Sequence, residues 1–393
     1  MRECGASRGL RHLAPAALAI AALVGGCAGG VSPSPGPTSQ PAGAVGVATP
    51  SSAPVPHAVF VAAGSMKTAH HNAVLLRDGT VLMVGGEGST GRAVADTEIF
   101  DPKSGKYSAG PALLSPRLNP TVTVMADGRV LVAGGEDATT SVLATAEILD
   151  PAGGVFKATG SMAVPRTEAT AFLLPTGNVL ILGGKDPNGT VLSSAELYHP
   201  NTGEYTPTGS MLQPRHDYGT GRLKDGRILV VGGCCTWASL PFTSAEMYDP
   251  SSGSFQSSGS MVVGRRVPAV TVLADGLVLI TGGNGSELTD EPLDSAETFD
   301  PETLAFKPIG SMTIPRDGAV GVEMRDQRVL MIGGTSDRSA EIFDPASGRF
   351  EATGPTIGSR SRSSTAILLP DGRIYVAGGG PGADATSAEM YQP

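Results

Sequence analysis

Residues 166–211 read RTEATAFLLPTGNVLILGGKDPNGTVLSSAELYHPNTGEYTPTGSM. Two apolar runs, 171–174 (AFLL) and 179–182 (VLIL), flank a short Gly-containing turn. Related copies carry Asp127-Gly128, Asp225-Gly226 or Asp371-Gly372 in that place. Asp-Gly between apolar runs is a strong hairpin signal, because both residues tolerate positive φ. The second run is continuously apolar and not alternating, which implies burial on both faces. It ends in Gly183-Gly184. A third run, AELYHP, stops at a proline that a central strand ladder cannot accommodate. After a Thr-Gly turn, a fourth run carries one aromatic, Tyr205, and ends in Gly-Ser-Met. Four strands in about 45 residues make one unit of antiparallel sheet.

The unit recurs. Gly-Gly pairs that follow apolar runs begin at Gly85, Gly134, Gly183, Gly232, Gly282, Gly333 and Gly378, at intervals of 49, 49, 49, 50, 51 and 45 residues. The third-strand strings TEIFDP, AEILDP, AELYHP, AEMYDP, AETFDP, AEIFDP and AEMYQP supply Glu98, Glu147, Glu196, Glu246, Glu297, Glu341 and Glu389. Fourth-strand aromatics stand at Tyr107, Phe156, Tyr205, Phe255, Phe306 and Phe350. Seven such units predict an all-β, seven-bladed propeller over residues 57–393. The seventh unit lacks a fourth strand after its third. Residues 60–66 (FVAAGSM) match that missing strand, so the N-terminal segment is expected to complete the C-terminal blade and remove the open sheet edges.

On the Gly-Gly pairs, the Ala-Glu-x-Tyr/Phe-Asp-Pro strings and the later aromatic, residues 57–393 resemble the kelch-repeat family, with Tyr or Phe where kelch repeats usually carry Trp. The resemblance implies a kelch-type propeller. It also implies recognition by residues lining one channel mouth, as in kelch proteins that bind peptides. Galactose-oxidase-like copper enzymes and sialic-acid mutarotases share the propeller family. A carbohydrate-active enzyme is therefore the alternative reading, with His71, His216, Tyr218 and Cys234 as nominal copper-site residues and Glu87 with Arg266 as a nominal acid/base pair. A second mouth tyrosine and the oxidases' flanking domains are missing.

Repetition separates frame from individuality. The seven glutamates belong to the frame, as do Arg117, Arg166, Arg215, Arg265, Arg316 and Arg360 before the first strands. No enzyme needs equivalent active sites in every unit, so these pairs are expected to satisfy buried polar groups between blades. Blade 1 departs, with His70-His71 in that region. The residues after Gly-Gly vary: Glu87, Glu136, Lys185, Cys234, Asn284, Thr335 and Gly380. So do those after the arginine: Leu118, Thr167, His216, Arg266, Asp317 and Ser361. Glu87, Glu136, Lys185, His216, Arg266, Asn284, Asp317 and the lone Trp237 are the expected rim, a polar ring suited to a peptide loop or a saccharide.

The first 26 residues are read as a leader. Arg2, Arg8 and Arg11 precede a short apolar stretch ending at Gly25-Gly26-Cys27. Small residues before a cysteine resemble a bacterial lipobox, which implies lipid attachment at Cys27 and a membrane-anchored, extracytoplasmic protein, periplasmic or at the cell surface. Residues 27–56 carry no charge and abound in Pro, Ser and Gly, as a tether does. Net charge is −9, and removing the leader makes the rest more acidic, which disfavours nucleic acid as a partner. With 54 Gly and 31 Pro and only 5% aromatics, a helix-rich enzyme is excluded as well. Cys234 and Cys235 are adjacent in an oxidising setting. They either pair in a strained vicinal ring or stay as thiols, with pairing between molecules a third route. Glu287, Asp290, Glu291 and Asp294 lack EF-hand spacing and read as a solvated loop. No catalytic constellation, metal set or cofactor is expected, and the chain is expected to be a monomer binding an extracytoplasmic protein or glycan.

Overall fold

A computed structural model describes residues 58–234, 240–285, 291–362 and 364–393. The expected leader and tether with Cys27, and also His57, Cys235, Trp237, Glu287 and Asp290, lie outside the described residues.

The described strands form seven antiparallel sheets of four. Blade 2 shows the pattern: Thr121–Val124, Val130–Ala133, Ala146–Asp150 and Val155–Ala158 pair in chain order. First strands are innermost. Thr121–Val124 lies against the first strands of both neighbours, Asn72–Leu75 and Thr170–Leu173. The ring closes where Thr365–Leu368 of blade 7 meets Asn72–Leu75 of blade 1. Every second strand is fully buried, from Val81–Val84 to Ile374–Ala377, as a continuously apolar run between two neighbouring sheets requires.

The N-terminal strand Val59–Ser65 is the fourth strand of blade 7 and pairs with Ser387–Gln392, with Phe60 opposite Tyr391 and Val61 opposite Met390. The chain therefore clasps its own end, as the 60–66 motif implies. The core is seven wedges, each drawing side chains from two adjacent blades. Val81 and Phe100 of blade 1 meet Met66, Tyr375 and Ala377 of blade 7, while Leu82 and Val84 meet Val130 and Val132 of blade 2. The fourth-strand aromatics face third-strand residues across the sheet. Phe100 with Tyr107, Tyr198 with Tyr205 and Phe299 with Phe306 pack as tilted rings with 4.7–4.9 Å between ring centres.

The hairpin turns differ from the Asp-Gly expectation in one respect. Only the last loop residue has positive φ, as at Gly128 (φ 93), with Gln327 (φ 69) in that place in blade 6. Gly128 N–H donates to Met125 O at 2.9 Å and Met125 N–H to Arg129 O at 2.8 Å, which makes a three-residue loop with a glycine bulge. Asp127 serves through its side chain, accepting from Arg129 N–H at 3.0 Å. Its carboxylate, not its φ tolerance, is what the turn uses.

Candidate functional site

The Gly-Gly pairs build the mouth. Gly134 adopts φ +68, and a Cβ there would sit 2.3 Å from Arg166 O, so only glycine lets the backbone of blade 2 approach the arginine that opens blade 3. After Gly135 the chain pairs back on its own blade: Glu136 and Leu118 exchange two backbone hydrogen bonds of 2.8 Å. The same exchange joins Ala69 with Glu87, Thr167 with Lys185, His216 with Cys234, and Arg266 with Asn284. In blades 6 and 7 it slips by one residue, with Asp317 N–H donating to Gly334 O and Ser361 N–H to Gly379 O, each at 2.9 Å. The two variable sets are thus partners at one end of the blades.

Below them lies the frame. Arg117 is 1% exposed and donates to Gly134 O (2.8 Å), Thr145 O (2.9 Å) and Glu147 (2.9 Å), while its own backbone carbonyl accepts from Gly86 of the preceding blade at 2.9 Å. One arginine therefore ties its own sheet together and joins it to the blade before. The ion pair recurs as Arg166–Glu196, Arg215–Glu246, Arg265–Glu297, Arg316–Glu341 and Arg360–Glu389. Blade 1 has Thr68 at the arginine position, level with Arg117 because Ala69 pairs with Glu87 as Leu118 does with Glu136. His70 and His71 come after that position and do not replace it. Glu98 accepts from Lys67 N–H at 2.7 Å.

The expected rim residues fall into two groups. Glu87, Glu136 and Lys185 are half-buried, whereas His216, Arg266, Asn284 and Asp317 are buried. Contacts run between blades: Thr167 Oγ1 donates to Glu136 at 3.1 Å, Arg266 to Asp217 at 2.7 Å and Asn284 to Asp317 at 3.4 Å, and Arg362 pairs with Asp317. Lys185 pairs with Glu168 at 2.7 Å, and His70 Nδ1 lies 3.0 Å from Glu87. Burial pushes the Asp217 carboxyl up, but hydrogen bonds from His216 and Arg266 outweigh it and hold the group well below the usual carboxylate range.

Where blades 7, 1 and 2 meet, a cavity of about 520 Å³ opens, lined by His70, His71, Asn72, Glu87, Leu118, Asn119, Ser364 and Thr365. His71 is 6% exposed, and neither ring nitrogen makes a hydrogen bond among the described residues. Burial lowers its pKa to about 4, partly offset by the Thr68 backbone, with His70 lowering it further. The imidazole is therefore neutral at neutral pH, with one donor and one acceptor available. Asn72 Nδ2 is held by Pro120 O at 2.6 Å, and Asn119 has a left-handed backbone (φ 52). Sequence reasoning singled out His70-His71 and Leu118 but missed Asn72, Asn119, Ser364 and Thr365. The signal lay one register further on, just past the variable positions.

The nominal copper set does not assemble. Tyr218 Oη donates to Leu182 O at 3.1 Å, and His71 lies across the ring from His216 and Cys234. Glu87 and Arg266 likewise stand in blades 1 and 5, each with its own partner.

Comparison with known proteins gives matches of two kinds. A Kelch motif family matches residues 223–262, a span running from the hairpin of blade 4 through its outer strand. No curated protein matches the chain. Among solved structures, a fungal alcohol oxidase described as having catalytic diversity among the AA5 family, in complex with copper, is similar in fold. Its TM-score is 0.66 at 19% identity, over 85% of this chain and 76% of that one.

Proposed function

We propose that this kelch-repeat β-propeller is a binding module that works outside the cytoplasm on a lipid anchor at Cys27, and that it takes its ligand, a glycan or a polar loop of a partner protein, in the channel mouth over blades 7, 1 and 2. The observation that carries this reading is His71: a nine-tenths buried, neutral imidazole whose ring nitrogens make no close hydrogen bond among the described residues, at the wall of a cavity large enough for a sugar ring or a short side chain. A buried polar group left unbonded costs about 1–3 kcal/mol, so a ligand that satisfies it gains affinity there. The rest of the lining favours the glycan of the two. Two amides (Asn72, Asn119) and two hydroxyls (Ser364, Thr365) surround the imidazole, and the one carboxylate, Glu87, is engaged by His70. Neutral donors and acceptors in that density match sugar hydroxyls better than a charged ligand.

The test is a glycan array probed with the purified protein, followed by calorimetry on the best binder. The reading expects His71→Phe to weaken binding at least tenfold with the melting temperature held, and Arg222→Gln, on the first strand of blade 4, to leave it unchanged. Binding that survives His71→Phe undiminished would place the ligand elsewhere.

A further inference from the structure

Across the ring from that cavity, three donor side chains converge at the blade 4 mouth. His216 and Cys234 are locked opposite one another by two backbone hydrogen bonds of 2.9 and 3.0 Å, which turns their side chains onto a common spot. Cys234 Sγ lies 3.3 Å from His216 Nε2 and 4.0 Å from Nδ1. Asp217 takes a left-handed backbone (φ 55), and its Oδ2 lies 3.3 Å from His216 Nδ1. One ligand atom from each residue can be chosen so that all three fall within 4.8 Å of one another.

Two of these separations lie close to those of a metal site. Tetrahedral Zn²⁺ with bonds of about 2.0–2.3 Å to nitrogen, oxygen and sulfur has ligand–ligand edges of about 3.4–3.6 Å. The Nδ1–Oδ2 and Nδ1–Sγ separations of 3.3 and 4.0 Å bracket that range. Arg266, from blade 5, donates to Asp217 Oδ2 at 2.7 Å and fixes the carboxylate's orientation, as a hydrogen bond behind a ligating carboxylate does. Its positive charge sits on the carboxylate. Cys234 and His216 are almost wholly buried, while the Asp217 side chain keeps 27% of its surface open, enough for an ion to enter from the mouth. A thiol, an imidazole and a carboxylate together suit a borderline-soft divalent ion better than Ca²⁺ or Mg²⁺, which prefer all-oxygen shells.

We propose that His216, Asp217 and Cys234 form a binding site for one zinc-class divalent cation, with Arg266 as the positioning residue behind Asp217. The ion would cross-brace the start of the first strand of blade 4 to the loop that follows its second strand. The site is independent of the glycan cavity, so either assignment can fail without the other.

The full-length protein, stripped with EDTA and kept reduced with a phosphine, is dialysed against Zn²⁺ and, separately, Co²⁺. The expected result is one equivalent of Zn²⁺ per chain and a sulfur-to-metal charge-transfer band with Co²⁺. Cys234→Ser should abolish the band, and His216→Gln and Asp217→Asn should each weaken Zn²⁺ at least tenfold. Cys235→Ser and Lys185→Gln should leave both readouts in place. Thermal melts of the stripped variants control for folding, and the stoichiometry of the unmutated protein stands without any variant. Failure of the unmutated protein to retain Zn²⁺, or a band that persists in Cys234→Ser and vanishes in Cys235→Ser, would overturn the site.

Discussion

Glu341→Ala is the sharpest probe of what holds the ring together. Glu341 is fully buried. It accepts from Arg316 Nε and Nη2 at 2.9 Å each and from Thr313 N–H at 2.5 Å. Removing it leaves the Arg316 guanidinium, itself 0% exposed, without the carboxylate it pairs with, although Gly333 O and Ser339 O still accept from it at 2.8 and 3.0 Å. Orphaning one partner of a buried pair costs about 3–5 kcal/mol. Blade 1 provides the matched control. Glu98 occupies the same strand position, but Thr68 stands where the arginine would be, and the acceptor role toward Lys67 N–H is what Glu98→Ala removes. That loss should stay near 1 kcal/mol. Equilibrium urea unfolding reads both. The double variant Arg316→Met/Glu341→Leu should cost at least about 2 kcal/mol less than its two single changes added together, because a hydrophobic replacement leaves no buried charge. Equal losses at Glu341 and Glu98, or strict additivity in the double variant, would refute the view that each buried arginine, paired with its glutamate, ties its own sheet together.

Other consequences are as direct. The His71 pKa of about 4, against about 6.5 in an unfolded chain, means that the unfolded state binds the extra proton between those values. Stability should therefore fall by up to about 3 kcal/mol as pH drops from 6.5 to 4, and His71→Gln should flatten that slope in urea melts at several pH values. Gly134→Ala would force a Cβ to within 2.3 Å of Arg166 O at φ +68, so a loss of more than about 2 kcal/mol is expected in the same assay. Deleting residues 58–66 strips blade 7 of its outer strand and should lower the melting temperature by calorimetry, with an unchanged value showing that closure lies elsewhere. Cys27→Ser should move the protein from the membrane pellet to the soluble fraction, as immunoblotting would show.

The frame was legible because its signals are local. Gly-Gly, Asp-Pro and the Glu of each third strand are backbone or turn constraints that recur wherever the unit does, and the clasp of Phe60 against Tyr391 could be read from a displaced fourth-strand motif. The mouth was only half legible. Variable positions could be found by comparing units, but not their partners. Asp217 meets Arg266 from 49 residues away and Asn284 meets Asp317 from 33, contacts set by blade adjacency. For the same reason the mouth divides into buried cross-links in blades 4 to 6 and a cavity over blades 7, 1 and 2. The hairpin geometry escaped because Asp-Gly fits both a two-residue and a three-residue loop, and only the backbone hydrogen bonds of Met125 tell them apart.

Recognition at one mouth is the claim on which the functional reading turns, and amide hydrogen exchange with a bound saccharide tests it most directly. Slowed exchange should concentrate at residues 69–72, 87–88, 118–119 and 364–365, while the outer strands and the Asp-Gly turns at the opposite end of the blades exchange as before. Protection centred on those turns, or spread evenly over all seven blades, would contradict it.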